Sequence, residues 1–273
     1  MIIDFHTHAF PEKIAARTIE TLIANTARIS DYPMKNHTDG TASGLIAAEK
    51  RAGVDLAVVL PIVTNPRHTE TVNRVAMETN AKAEGLYSFG SLHPCDPDAV
   101  SWLDKLARDG FAGIKLHPEF QDYYADGNEA FEIYRRAAEY GMTVVFHAGR
   151  DIGYLPPVKT TPDMLLRIVD KIPDIKIVAA HLGGWMMWDE VAAMLCGSPI
   201  YFDTAFISDF IEPSLARDII NAHGAEKVLF GSDAPWEDPA HALEFLNSLD
   251  LAPNDLKKIC GENAAGLLGI KNE

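Results

Sequence analysis

The chain has 273 residues, 47% of them hydrophobic, and carries a formal charge of −15 at pH 7 from 24 Lys+Arg against 39 Asp+Glu. That is a globular composition, and its excess of acid excludes nucleic acid and anionic membrane surfaces as partners. Cys95, Cys196 and Cys260 stand far apart with no CxxC, which excludes a disulfide framework or a thiolate zinc site and points to a reducing, cytoplasmic setting.

The opening MIIDFHTHAF is too short and too polar for a signal peptide, and no run approaches the roughly 18 apolar residues of a membrane span. Short runs rich in β-branched and aromatic residues predict strands over Ile2–His6, Leu56–Pro61, Tyr87–Leu92, Ala112–His117, Thr143–His147, Lys176–His181, Ile200–Thr204 and Lys227–Gly231. The first crossover, residues 11–53, reads as a helix, a polar loop (Ser30–Thr41) and a second helix ending at Gly53. Helical spacing recurs over Pro97–Arg108, Glu129–Tyr140, Asp163–Lys171, Glu190–Cys196 and Pro213–Asn221, and Asn254–Leu268 reads as two short closing helices. Eight βα units in a chain of this length predict an α/β fold, a (β/α)8 TIM barrel, as a single domain over 1–273. The competing architecture is an open doubly wound sheet. It would call for a GxGxxG after the first strand or a GxxxxGK[ST], and neither is present.

Barrel chemistry gathers at the C-terminal ends of strands. His6, His8, His117, His147 and His181 end predicted strands or follow them, and the eighth strand runs into Gly231-Ser232-Asp233. His6 and His8 form an HxH pair; residues two apart on a strand share a face, so both imidazoles can chelate one cation. His147 in VVFHAG and His181 in VAAHLGG follow apolar runs, so each ring must be hydrogen-bonded or metal-bound. Asp233 at the barrel mouth reads as a ligand or proton shuttle, with a helix N-cap as the alternative. Imidazole with carboxylate suits Zn²⁺, less specifically Mn²⁺, and a metal-bound water is a nucleophile at neutral pH.

Lys115 and His117 share a face in GIKLHP, so a buried Lys115 pairs with an acid such as Asp4, Asp203 or Asp233, binds substrate, or is modified. Arg150, in the loop after His147, suits a substrate carboxylate, and Trp185 and Trp236 offer stacking surfaces for an unsaturated ring. His93 reads as a turn cap, Asp203 and Thr204 as hydrogen-bonding groups within the barrel, and His37, His68, His223 and His241 receive no role.

HxH on the first strand, single histidines on the fifth and sixth, and Asp on the eighth resemble the amidohydrolase superfamily of metal-dependent barrels. DFHTHAFP, HLGG, FGSDAPW and the closing Asn263-Ala264-Ala265-Gly266-Leu267-Leu268-Gly269 look like its amidohydrolase-related branch (amidohydrolase 2), over residues 2 to 269. That branch includes aminocarboxymuconate-semialdehyde decarboxylase and γ-resorcylate decarboxylase. The resemblance implies one metal on His6, His8, His147 and Asp233, with His181 a general acid/base beside the metal water. The same site cleaves C–C bonds in decarboxylating relatives and C–N or C–O bonds in hydrolytic ones. The KxH of the fourth strand departs from the decarboxylase pattern. It looks like the urease strand, where a carbamylated lysine bridges two ions, which would make His147 and His181 ligands of the second. The expectation is a metal-dependent hydrolase of a small carboxylated or cyclic substrate, with Zn²⁺ first and Mn²⁺ second. A non-oxidative decarboxylase and a two-metal hydrolase with carbamylated Lys115 are the alternatives, and a metal-binding barrel without turnover ranks below them. The expected partner is a small molecule, with neither nucleic acid nor membrane, and the Trp-rich loops offer a homodimer surface.

Overall fold

A computed structural model describes residues 1–270. The strands are β1 (Ile3–Thr7), β2 (Leu56–Val59), β3 (Leu86–Ser88), β4 (Gly90–Ser91), β5 (Gly113–Leu116), β6 (Thr143–Phe146), β7 (Lys176–Ala179), β8 (Tyr201–Asp203) and β9 (Val228–Leu229). All pair in parallel, in the orders β1-β2-β3 and β4-β5-β6-β7-β8-β9. The predicted third strand is thus one stave in two pieces. Ser88 pairs with Val59 of β2, Gly90 pairs with Ile114 of β5, and Phe89 between them donates its N–H to Val59 O at 3.0 Å. Backbone bonds close the ring of eight staves, from Phe5 N–H to Phe230 O at 2.8 Å, Asp233 N–H to His6 O at 2.8 Å and His8 N–H to Ala234 O at 2.6 Å.

The helices are α1 (Glu12–Thr26), α2 (Ala42–Ala52), α3 (Thr69–Lys82), α4 (Ala99–Arg108), α5 (Pro118–Gln121), α6 (Phe131–Glu139), α7 (Pro162–Lys171), α8 (Trp188–Met194), α9 (Pro213–His223), α10 (Pro239–Ser248), α11 (Pro253–Lys257) and α12 (Asn263–Leu268). The Ser30–Thr41 loop separates α1 from α2 as expected, and Gly53 caps α2 in the left-handed conformation that glycine adopts without cost. Helices α3 and α10 form where the sequence reading names none. A π-turn, Lys258–Glu262, joins α11 to α12, so the closing helices are continuous rather than separate. Among the described residues no helix is long and apolar enough to cross a membrane.

Alternation along the staves divides the core. Ile3, Phe5, Val58, Leu60, Phe89, Val145, Val178 and Leu229 meet inside the barrel, closed from below by Ala264 and Ala265 of α12. Their strand neighbours Ile114, Leu116, Val144, Phe146 and Ile177 face outward into the helix layer. At β1 the alternation breaks. Asp4 pairs with Ala57 but Thr7 with Val59, so three residues span what two span opposite, a β-bulge. The bulge brings His6 to the lumen although Phe5 already faces it, and it leaves Asp4 outside. Asp4 is therefore not a lumen partner of Lys115, which corrects that part of the sequence reading. Instead it meets Glu49 of α2, and both carboxyls are buried. Asp4 Oδ1 accepts the N–H groups of His6 and Ser232, while Asp4 Oδ2 and both Glu49 oxygens have no other partner.

Burial pushes Asp4 up to about 7 and, with Asp4 beside it, Glu49 up to about 10. In the unfolded chain both titrate near 4, so between about pH 4.5 and 10 the folded state binds more protons and loses stability as pH rises. Glu49→Gln should flatten the fall in melting temperature between about pH 6 and 9 and leave the protein at least as stable as wild type at the alkaline end. Thermal melts by circular dichroism decide this, and an unchanged slope would show that the pair is not protonated.

Candidate metal centre and pocket

The bulged end of β1, the end of β8 and the turn after β9 assemble the first group. His8 Nδ1 lies 2.9 Å from Leu60 O; a carbonyl only accepts, so His8 carries its proton there and its Nε2 is a lone pair. His6 Nδ1 is 2.8 Å from Asp203 Oδ2, which fixes His6 in the same tautomer. The two Nε2 atoms lie 3.6 Å (His6) and 3.0 Å (His8) from Asp233 Oδ1, a buried oxygen with no hydrogen-bond partner. Three acceptors thus face one another, and the one donor among them is Lys115 Nζ, 3.2 Å from His6 Nε2. Facing lone pairs repel unless a cation lies between them. Histidines whose other nitrogen is held by a carboxylate or a carbonyl are the usual form of metal ligands. The donor set therefore fits a divalent ion, and these atoms lie within 4.8 Å of one another.

Charge favours the same reading. Burial, then the nearby Lys115, holds His6 well below its usual range, so it is a neutral imidazole. Asp233 is held below the usual carboxylate range in spite of its burial. Lys115 is fully buried, and burial brings it down to about 8 against the pull of Asp203, Asp233 and Asp151.

His147 lies outside this trio. Its Nε2 is 3.1 Å from Arg150 O, so Nδ1 is its lone pair, and Nδ1 lies 3.0 Å from His181 Nε2. His181 Nδ1 is in turn 2.8 Å from Ala205 O. With both outer nitrogens spent on carbonyls, this pair also presents two facing lone pairs. His117 stacks between Phe120 (3.9 Å) and His147 (4.2 Å), with its Nε2 3.3 Å from Asp151 Oδ2. His117, His147 and Asp151 form a second group of candidate donors, and burial pushes His117 and His147 well below their usual range. His181 (φ 60°) and Asp233 (φ 68°) both hold left-handed backbones. That costs free energy for a non-glycine residue and is maintained by bonds from His181 N–H to Asp203 Oδ1 at 2.9 Å and from Asp233 N–H to His6 O at 2.8 Å.

The remaining expected residues divide. Lys115 and His117 both reach the lumen, whereas the Arg150 side chain is exposed and its carbonyl faces His147 Nε2. Trp185 is buried with an unpartnered indole N–H, against Phe206 and Phe210. Gly149 permits this loop contact: its φ is +82°, and a Cβ there would fall 2.2 Å from Trp185 N. Trp236 lines a pocket of about 270 Å³ with Tyr32, Phe206, Phe210 and Glu237. His223, without a role in the sequence, is a satisfied core histidine stacked 3.8 Å from Phe202. His93 caps its turn by accepting the Cys95 N–H at 3.2 Å. Asp203 makes the expected internal bonds, but their partners, His6 and His181, make it part of the site. The sequence places Asp151 beside Arg150 in the loop after His147, on the functional face, without giving it a role; Glu237 was missed, and nothing in the spacing around it marks a buried carboxyl.

Comparisons with known proteins bear on the fold and the family. A curated relative, the gamma-resorcylate decarboxylase of Polaromonas sp. (strain JS666 / ATCC BAA-500), is 28% identical over 120 residues, which is 38% of this chain and 37% of that protein. The match thus spans little more than a third of the relative's length. The crystal structure of an uncharacterized TIM-barrel protein from Bordetella bronchiseptica superposes with a TM-score of 0.80 at 18% identity, covering 98% of each chain. A dihydroxybenzoic acid decarboxylase from Polaromonas sp. JS666, with bound manganese and the inhibitor 2-nitroresorcinol, superposes with a TM-score of 0.73 at 16% identity over 100% of this chain and 98% of that one. These two establish the TIM-barrel fold. The amidohydrolase family profile matches residues 3–270, nearly the whole barrel, and the chain belongs to that family.

Proposed function

We propose that the chain is a metal-dependent, non-oxidative decarboxylase of a small planar carboxylate, with its divalent ion held by His6, His8 and Asp233. The observation that carries this reading is the convergence of His6 Nε2, His8 Nε2 and Asp233 Oδ1 with too few protons to satisfy them. Sequence alone leans to hydrolysis. The activities named for the Polaromonas relatives are decarboxylations, and they support C–C cleavage instead. When bound, the ion supplies the Lewis-acid charge that orients an anionic substrate and lowers the cost of the electron pair left behind as CO₂ departs. Zinc and manganese both suit two imidazoles and a carboxylate, and manganese is the ion in the relative.

The chain's own residues handle the proton. Decarboxylation replaces C–CO₂⁻ by C–H, one proton entering for each CO₂ that leaves. His181 Nδ1 is held by Ala205 O, so Nε2 is where His181 exchanges a proton. Nε2 faces His147 Nδ1 at 3.0 Å, and the pair has room for one proton between its inner nitrogens. We assign His181 as the acid that protonates the ring carbon, His147 as the partner that holds the proton beside it, and Asp233 as a ligand that stays ionised. Lys115 and His117 face the substrate from the lumen. Because Arg150 is exposed, the ion and Lys115 take over the binding of the substrate carboxylate expected of it. The reduced cysteines support a cytoplasmic location.

A second reading has one observation in its favour. His147 Nδ1, His181 Nε2 and Lys115, if carbamylated, would supply donors for a second ion in a hydrolase. Elemental mass spectrometry on protein purified without chelator should find one ion per chain, lost in His8→Ala and in Asp233→Ala. Two ions per chain would favour the hydrolase. His181→Asn should keep the ion and lower kcat by about 10²- to 10⁴-fold. The deciding assay is CO₂ release from hydroxybenzoates and muconate-type acids, set against opening of cyclic amides and lactones. Ring opening without CO₂ release would sink the decarboxylase reading.

A further inference from the structure

At the bulge of β1 the His6 N–H donates to the Asp4 carboxyl, at 3.1 Å from Oδ1. The same oxygen accepts a second N–H at 3.0 Å, from Ser232, which lies 228 positions away in the turn after β9. His6 is one of the trio around the candidate cation site, and Ser232 directly precedes another, Asp233. A single oxygen thus ties two ligand-bearing backbones together from outside the barrel. The Ser232 hydroxyl accepts the Ala234 N–H at 3.0 Å and donates to the same carboxyl, which extends the tie to both sides of Asp233.

Two backbone bonds flank this tie, from Phe5 N–H to Phe230 O and from Asp233 N–H to His6 O, each at 2.8 Å. Between them the chains approach so closely that a Cβ on Gly231 would fall 2.9 Å from His6 Cβ. The barrel alone does not call for an acid at this place. Other outward-facing strand residues, such as Ile114 and Val144, are apolar and pack into the helix layer. Asp4 is wholly buried, pairs with no Lys or Arg among the described residues, and meets only Glu49 of α2 on its other side. A carboxyl buried in this way costs stability unless donors surround it, and the donors it has gathered are the backbones of the site.

We infer that Asp4 is a positioning residue of the metal centre: by holding the His6 and Ser232 backbones on one oxygen, it sets the separation of His6 Nε2 and Asp233 Oδ1 and so the affinity for the ion. This rests on the reading of His6, His8 and Asp233 as metal ligands and not on the reaction they serve. Ligand distances in a metal site are held to within about 0.2 Å, so a small drift of the β9 turn away from β1 is enough to weaken binding.

The test is the dissociation constant for Mn²⁺, read on folded protein well below its melting temperature from the electron paramagnetic resonance signal of the free ion. Asp4→Ala should weaken Mn²⁺ binding about 10- to 100-fold, the usual effect of removing a group that orients metal ligands. Asp4→Asn keeps a carbonyl oxygen for the same two N–H groups and should restore most of that loss. Leu103→Ala, wholly buried in the helix layer, should lower the melting temperature and leave the dissociation constant alone, which separates positioning from stability. Should Asp4→Ala not fold, Asp4→Ser takes its place: a serine hydroxyl still accepts the N–H two residues on but does not reach Ser232, so weaker binding is again expected.

Unchanged Mn²⁺ affinity in Asp4→Ala or Asp4→Ser overturns this inference alone. So does an Asp4→Asn protein no better than Asp4→Ala, or a Leu103→Ala protein weakened as much. A wild-type protein that binds no Mn²⁺ overturns the metal reading and this inference with it. Binding is read without turnover, so absence of CO₂ release counts against the decarboxylase reading only.

Discussion

The site depends on the carboxylate of Asp203. It is wholly buried at the end of β8, and each of its oxygens has a separate task. Oδ2 holds His6 Nδ1 at 2.8 Å, and Oδ1 accepts the N–H groups of His181 at 2.9 Å and Ala205 at 3.1 Å. The first bond fixes the tautomer that leaves His6 Nε2 free. The second anchors the left-handed turn at His181, and the third steadies Ala205, whose carbonyl orients the His181 ring. A buried carboxylate is tolerable only when it is this well supplied with donors. One group thus couples the His6, His8 and Asp233 trio to the His147–His181 pair.

Around that anchor the centre carries more acceptors than donors. Burial keeps His6, His117 and His147 neutral, and Asp233 stays ionised among them. Among the described residues Lys115 is the one cation reaching this cluster, and burial weakens its hold on its proton. A divalent ion on His6 Nε2 and an ammonium 3.2 Å from the same nitrogen repel one another. Were an ion to be held there, Lys115 would have to lose its charge or move.

Much of this was legible in the sequence. The eight apolar runs marked the staves, and histidines at their ends marked the working face, because a buried imidazole needs a partner wherever it occurs. Alternation also put His6 and His8 together. Alternation cannot show a bulge, however, and so it placed Asp4 with them. The break at Phe89 also escaped, since Tyr87–Leu92 reads as one unbroken run. The split of the four expected ligands into a trio and a separate His147 depends on carbonyls of Leu60, Arg150 and Ala205, which carry no residue-type signal. Asp203 was read as an internal hydrogen-bonding group, but its partner His6 lies 197 positions away, and no local spacing encodes that pairing.

Hydrolysis and decarboxylation ask the same thing of the cation and opposite things of the nearby base. Hydrolysis needs a group that takes a proton from water; decarboxylation needs one that gives a proton to carbon. His147 and His181 present two inner lone pairs 3.0 Å apart, with both outer nitrogens committed to backbone carbonyls. Without an ion between them, that arrangement leaves room for one shared proton beside the trio. On the decarboxylase reading proposed above, a reaction that consumes one proton per turnover would draw on a proton held there. A second ion would displace that proton and turn both rings into ligands. Metal stoichiometry and reaction type are therefore two readings of the same pair of nitrogens.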